Sequence, residues 1–225
     1  MKVNFCNLAA IAALSLCRAL AAEPGPIVLP SPQVTGGKPV MDVFRERRTT
    51  REFKPDKLPP QLLANLLWAG FGINRPEISH RTAPSAMNSQ EVDIYLALPE
   101  GVFLYEPKPN QLKLIATEDI RGKTSGQPFA TNAPLTLIFV ADLSRLSKAR
   151  PETRRFYADF DTGCISQNIY LYCASASLGT VVHDLDRTQL TAALKLTSDQ
   201  QIILAQAVGY PREPASAPQG PARSP

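Results

Sequence analysis

Leu135-Thr136-Leu137-Ile138-Phe139-Val140-Ala141 is a nearly unbroken apolar run rich in β-branched and aromatic side chains. A strand exposed on one face alternates apolar with polar residues, whereas a continuous run of this length suits a strand covered on both faces. Upstream, residues 91–98 alternate cleanly with Val92, Ile94 and Leu96 on one face. Residues 102–105 and 111–115 read as further short strands joined by a Pro107-Lys108-Pro109-Asn110 turn. Downstream, residues 154–178 read as one long helix with Phe156, Phe160, Cys164, Ile165, Ile169, Tyr172, Cys173 and Ala176 on its buried side. Gly179 would end that helix in the positive-φ conformation glycine allows. A short extended piece from Val181, a short helix over 187–194 and a last apolar strand over 202–209 complete the pattern. Helices and strands are interleaved throughout, which predicts an α+β or α/β domain with a mixed sheet covered by helices.

Towards the N-terminus, Met41, Val43 and Phe44 begin a short helix, and Phe53 with Pro55 closes that segment. After Pro59-Pro60, the recurrence of Leu62, Leu63, Leu66, Leu67 and Ala69-Gly70 marks a second helix with proline in its first turn. Residues 72–90 are a long polar stretch of turn formers, a length of loop that in compact domains often carries function. The folded domain is placed at residues 40–211. It is preceded by a Pro/Gly-rich extended arm over 22–39 and followed by a Pro-rich tail over 212–225.

The first 21 residues have the three-part layout of a secretory signal: Lys2, an apolar run over 8–16, then Ala19-Leu20-Ala21 ahead of Glu23-Pro24. Cleavage is placed after Ala21, which implies export, with the periplasm as the expected compartment. The apolar run is short of the roughly 18–20 residues needed to span a bilayer. Leu16 before Cys17 is bulky where a lipid-anchor site wants a small residue, so no membrane anchor is expected. Loss of Lys2 and Arg18 takes two cations from the formal charge of +4, leaving +2, which is no nucleic-acid footprint. Cys164 and Cys173 then remain, nine residues apart on one helix, about 13 Å along its axis. They are too far apart for a disulfide within it, and a metal site has no supporting cluster, so they read as buried small apolar residues.

Two segments carry candidate chemistry. Arg47-Arg48-Thr49-Thr50-Arg51 gathers three guanidinium groups and two hydroxyls at a helix end, a set able to bind phosphate by charge and bidentate hydrogen bonds. By itself such a run is more often a solvated face than a ligand site. Residues 81–90, Arg81-Thr82-Ala83-Pro84-Ser85-Ala86-Met87-Asn88-Ser89-Gln90, combine small residues that let a ligand approach the backbone with amides that can read a heterocycle's edge. On local grounds alone this stretch reads as a polar turn entering a hairpin.

Taken together and in this order, the two segments resemble the nitroreductase family of flavoproteins. Further matches are Leu66-Leu67-Trp68-Ala69-Gly70, Ala133-Pro134, Gln167-Asn168, Leu178-Gly179 and Val208-Gly209-Tyr210-Pro211, spanning residues 40–211. Leu66 through Gly70, Gly101-Val102-Phe103-Leu104-Tyr105 and Gln167-Asn168-Ile169-Tyr170 are most similar to the branch with azoline-oxidising enzymes of peptide natural-product pathways. The resemblance implies an α+β fold, FMN, and an intertwined homodimer whose subunits share the active site. By position, Arg47 and Thr49 match contacts to the phosphate and ribityl end, with Arg48 and Arg51 near the phosphate or the pyrimidine edge. Ser85, Ala86 and Asn88 match the loop that hydrogen-bonds the ring, and Val182-His183-Asp184 the segment whose backbone approaches its N5 side. His183 there acts through its backbone rather than as a general acid, and His80 reads as a loop histidine. Glu91-Val92 stands where many relatives have Pro-Trp, and only Arg212 and Arg223 are available as C-terminal phosphate clamps. The implied activity is alternating electron transfer from a small donor to a nitro, quinone or related acceptor. An oxidase or dehydrogenase acting on a peptide or heterocycle, and a flavin-binding module without turnover, are the competing readings.

Overall fold

The computed structural model describes residues 25–212. The expected leader (1–21) and the tail beyond Arg212, Arg223 included, lie outside the described residues. In chain order these form β1 (Ile27–Val28), α1 (Val40–Glu46), α2 (Pro60–Phe71), a small hairpin of β2 (Ile73–Arg75) and β3 (His80–Arg81), β4 (Val92–Leu98), β5 (Gly101–Glu106) and β6 (Gln111–Ala116). There follow α3 (Pro128–Asn132), β7 (Leu135–Asp142), α4 (Pro151–Ser175), β8 (Gly179–His183), α5 (Arg187–Ala193) and β9 (Gln200–Gly209).

Seven strands make one sheet in the order β1-β6-β5-β4-β7-β9-β8. The apolar run is β7, flanked by β4 and β9 and buried on both faces as its composition requires. Leu135, Leu137 and Phe139 face the main core beneath α2 and α4, while Ile138 and Val140 face a second core with Leu185, Leu190 and Leu194. β4 is also covered twice: Val92, Ile94 and Leu96 enter the main core, and Tyr95 and Ala97 the second.

The α+β class holds, but every pairing in the sheet is antiparallel, so the expected mixed sheet is corrected within one chain, among the described residues. The cause is topological. α4 carries the chain back over the sheet, so that β8 runs in the same direction as β7. β9 then inserts between the two and is antiparallel to both.

α4 differs from expectation in its inner face. Ala158, Asp161, Thr162, Ile165, Ser166, Ile169 and Cys173 are buried, whereas Phe156 and Phe160 are 66% and 59% exposed. At 3.6 residues per turn, positions five and nine residues before Ile165 point about 140° and 180° away from it. The C-terminus also differs: Ser177, not Gly179, takes the left-handed conformation (φ 56). Leu178 N–H then donates to Cys173 O at 2.8 Å while both side chains join the core. Cys173 is buried and Cys164 partly so, both as free thiols, and burial raises the Cys173 thiol well above its usual range.

From residue 25 on, part of the arm is built into the fold. Ile27 and Val28 pair with Leu112 and Gln111, and Asn110 holds Leu29 O and Pro30 O through its amide. No helix among the described residues is long and apolar enough to cross a membrane.

Candidate cofactor site

The arginine segment leaves α1 and is laid along the sheet edge by its neighbours. Thr50 N–H donates to Thr180 O at 2.9 Å, Lys54 N–H to Tyr210 O at 2.9 Å, and Phe53 bridges Pro211. Phe53 is 2% exposed. What it packs against is a cross-strand pair of glycines, Gly179 and Gly209. A Cβ on Gly179 would stand 2.8 Å from Thr50 Cγ2, and one on Gly209 would stand 2.6 Å from Pro134 Cδ and 3.2 Å from Phe53. The glycine expected to end a helix is therefore needed for close approach of residues 50–53.

Arg48, Thr49 and Arg51 are exposed and Arg47 is half-buried. Six other arginines form ion pairs: Arg45, Arg121, Arg145, Arg150, Arg155 and Arg187. Arg47, Arg48 and Arg51 form none among the described residues, so their charge is uncommitted. Arg47 lies over the Tyr170 ring, 5.4 Å from its centroid. Tyr170 was singled out in the sequence only within a family stretch, yet it joins two predicted segments. Its hydroxyl lies 3.3 Å from Thr49 Oγ1 and accepts Val182 N–H at 3.0 Å. Val182 is on the outer edge of β8, where no neighbouring strand takes that donor. A cavity of about 500 Å³ opens here, lined among others by Arg45, Arg47, Arg48, Thr50, Tyr170 and Thr180.

Beyond Val182 the predicted segment divides. The His183 ring is buried edge-on against Phe129, with centroids 5.2 Å apart, and burial lowers its affinity for a proton. It stays neutral at neutral pH, in keeping with a backbone role. Asp184 is exposed and paired with Arg187 at 2.8 Å.

The 84–90 loop is tightly wound, with Met87, Asn88 and Gln90 at φ 55, 53 and 49. Non-glycine residues in this region persist where surroundings over-determine them. Ser85 Oγ accepts Gln90 N–H at 2.7 Å and donates to Glu91 Oε2 at 3.1 Å, and Ala86 N–H donates to Asp161 Oδ2 at 2.7 Å. The Gln90 amide donates to Asn88 Oδ1 at 2.9 Å, and Arg81 Nε to Gln90 Oε1 at 2.8 Å. Asp161 had no signal in the sequence beyond helical spacing. Ser85 and Ala86 border an apolar cavity of about 380 Å³ with Phe156, Tyr157 and Phe160.

One chain thus brings Arg47, Thr49 and Val182 together around Tyr170, but sets Ser85 and Ala86 elsewhere. The loop is tied to α4 at Asp161, nine residues and about 13 Å along the helix from Tyr170.

Comparison with known proteins gives this geometry its relatives. Residues 44–210 match the family model described as the nitroreductase family. A candidate nitroreductase of Methanocaldococcus jannaschii is 29% identical over 150 residues, covering 62% of this chain and 75% of that protein. The crystal structure of a candidate nitroreductase from Ralstonia eutropha is 39% identical with a TM-score of 0.81, covering 87% of this chain and 93% of that one. A candidate nitroreductase from Desulfovibrio desulfuricans, solved in complex with FMN, shares the fold at 19% identity and a TM-score of 0.57, over 83% of this chain and 94% of that one. With the matching model covering most of its length, this chain belongs to the nitroreductase family of oxidoreductases.

Proposed function

We propose that this protein is an exported, periplasmic, FMN-dependent oxidoreductase, a homodimer that passes electrons from a small donor to a nitro, quinone or related acceptor at one site in alternation. The observation that carries the reading is the set of uncommitted guanidinium groups of Arg47, Arg48 and Arg51 in one segment, with Arg47 stacked on Tyr170, Arg47 and Arg48 lining the cavity there, and Tyr170 linking Thr49 to the edge of β8. A phosphate needs unpaired cations and hydroxyl donors, and these residues meet that need. A family relative bound to FMN supports the choice of flavin.

Arg47 and Thr49 would hold the phosphate and ribityl end, with Arg48 beside them, and Arg51 would set a positive charge at the pyrimidine edge. Val182 N–H, now turned to Tyr170, and the backbone of His183 and Asp184 would border the N5 side. FMN when bound supplies the atom that takes and returns hydride, so donor and acceptor use one place and no protein nucleophile is required. Because Ser85, Ala86 and Asn88 lie far along α4 from Arg47 in one subunit, they would complete the site of the partner. The exposed Phe156 and Phe160, with Met41 and Phe44 of α1 at 73% and 53% exposure, supply apolar surface for that dimer.

The test is an absorbance spectrum of the purified protein before and after anaerobic addition of NADH or NADPH, followed by a quinone or nitroarene. Bleaching of a flavin band and its recovery with the acceptor is the expected result. Bound flavin that no donor reduces would instead indicate a binding module.

A further inference from the structure

Two carboxyl groups lie beneath the 84–90 loop with no cation paired to either among the described residues. Glu91 is 0% exposed and Asp161 2%. They hold adjacent loop residues: Glu91 Oε2 accepts from Ser85 Oγ at 3.1 Å, and Asp161 Oδ2 from Ala86 N–H at 2.7 Å. Glu91 Oε1 is buried without a hydrogen-bond partner among the described residues. A buried carboxyl with one oxygen unpartnered, no cation and a second buried carboxyl beneath the same two loop residues favours its protonated form.

The groups around the pair do not supply a cation. From α4 come Asp161 and, nearly a turn on, the Cys164 thiol, itself raised by burial and by Asp161. From the loop comes the Ser85 hydroxyl. Arg145, in the turn after β7, is committed to Asp93 and Gln90 O, and Arg81 to Gln90 Oε1 and Phe71 O.

We propose that Glu91, buried with Asp161 under the 84–90 loop, is held as a neutral acid, and that its proton holds the loop in its flavin-contacting shape. Glu91 is then a positioning residue whose ionisation loosens the cofactor. The inference rests on the flavin reading above and adds to it a residue that stands where many relatives have proline. The loop needs such a hold, since three of its residues are in the left-handed region. Burial first, and Asp161 beside it, raise the Glu91 carboxyl to about 7. Below that pH Glu91 keeps its proton. Above it the proton goes to solvent, and two buried carboxylates repel under Ser85 and Ala86.

The experiment is FMN titration of the full chain by flavin fluorescence, together with melting of the flavin-free protein, from about pH 6 to about pH 8.5. Glu91→Gln keeps an oxygen for Ser85 but cannot ionise. The parent should lose about tenfold in FMN affinity relative to Glu91→Gln across this range, because any slope from the ligand's own phosphate is common to both. The parent's melting temperature should fall over the same range and that of Glu91→Gln should not. If Glu91→Gln proves unstable, Asp161→Asn keeps the test open: it should move the parent's slope to lower pH. Parent and Glu91→Gln binding FMN with the same pH dependence would overturn the proton's role and leave the flavin reading intact. A parent that melts with the expected slope but binds no FMN at any pH would overturn the flavin reading, and the positioning role with it.

Discussion

Tyr170→Phe removes one oxygen from the centre of the arginine half of the site and leaves the aromatic ring, so Arg47 keeps its stacking partner 5.4 Å away. What is lost is the link between two segments distant in sequence: the 3.0 Å bond from Val182 N–H and the 3.3 Å contact with Thr49. A net hydrogen bond is worth about 0.5–1.5 kcal/mol, and Tyr170 is only half-buried, so water takes up part of the loss. The total is about 1–2 kcal/mol, centred near the 1.4 kcal/mol that makes a tenfold change in binding. Two assays read it. The melting temperature should fall by about 3–6 °C, at 2–4 °C per kcal/mol for a domain of this size. FMN affinity measured by fluorescence titration should weaken about tenfold. A variant that melts lower yet binds FMN as the parent does would show that Tyr170 supports the fold without organising the cofactor site. That would refute the reasoning.

Three further outcomes are expected. Arg51→Ala should lower the flavin reduction potential by removing a cation that favours the more negative reduced ring; one charge at about 4 Å and effective dielectric 20 is worth about 4 kcal/mol, and exposure cuts this to about 1 kcal/mol, or about 20 mV for two electrons. Arg51→Lys should recover part of the shift, and unchanged potentials in both variants would move the site away from Arg51. Light scattering should give a dimer for the parent and a shift towards monomer for Phe160→Glu, whereas a flavin-loaded monomeric parent would contradict the shared site. Burial makes folded His183 harder to protonate than the unfolded chain, so its stability contribution is complete above the ordinary value of 6.5 and is lost as pH falls below it. His183→Asn should flatten the acid limb of the melting profile, and an unaltered limb would exclude His183 as its source.

Much of the fold was legible because burial writes itself into composition. The run at residues 135–141 suits a doubly covered strand, and the leucines of residues 62–67 mark a helix face. Strand direction carries no such mark, since Ile202 or Val208 would look the same beside a parallel or an antiparallel neighbour. Phe156 and Phe160 misled because apolar character says that a side chain seeks cover, not which molecule provides it. Of the candidate site, the charged and small residues stand out in the sequence, and what positions them does not. Tyr170 and Asp161 act through single hydrogen bonds across sequence separations of 121 and 75 residues, which no local pattern records. Gly179 was visible, but its reason lay in Thr50 and Phe53, residues far upstream.

The central claim is that residues 47–51, the 84–90 loop and β8 of two subunits together bind FMN. Its most direct test is reconstitution of the mature chain with excess FMN, removal of free flavin, and comparison of the flavin and protein absorbances. The account predicts a yellow protein with about one FMN per subunit. Protein that stays colourless, with its fold intact by circular dichroism, would contradict it.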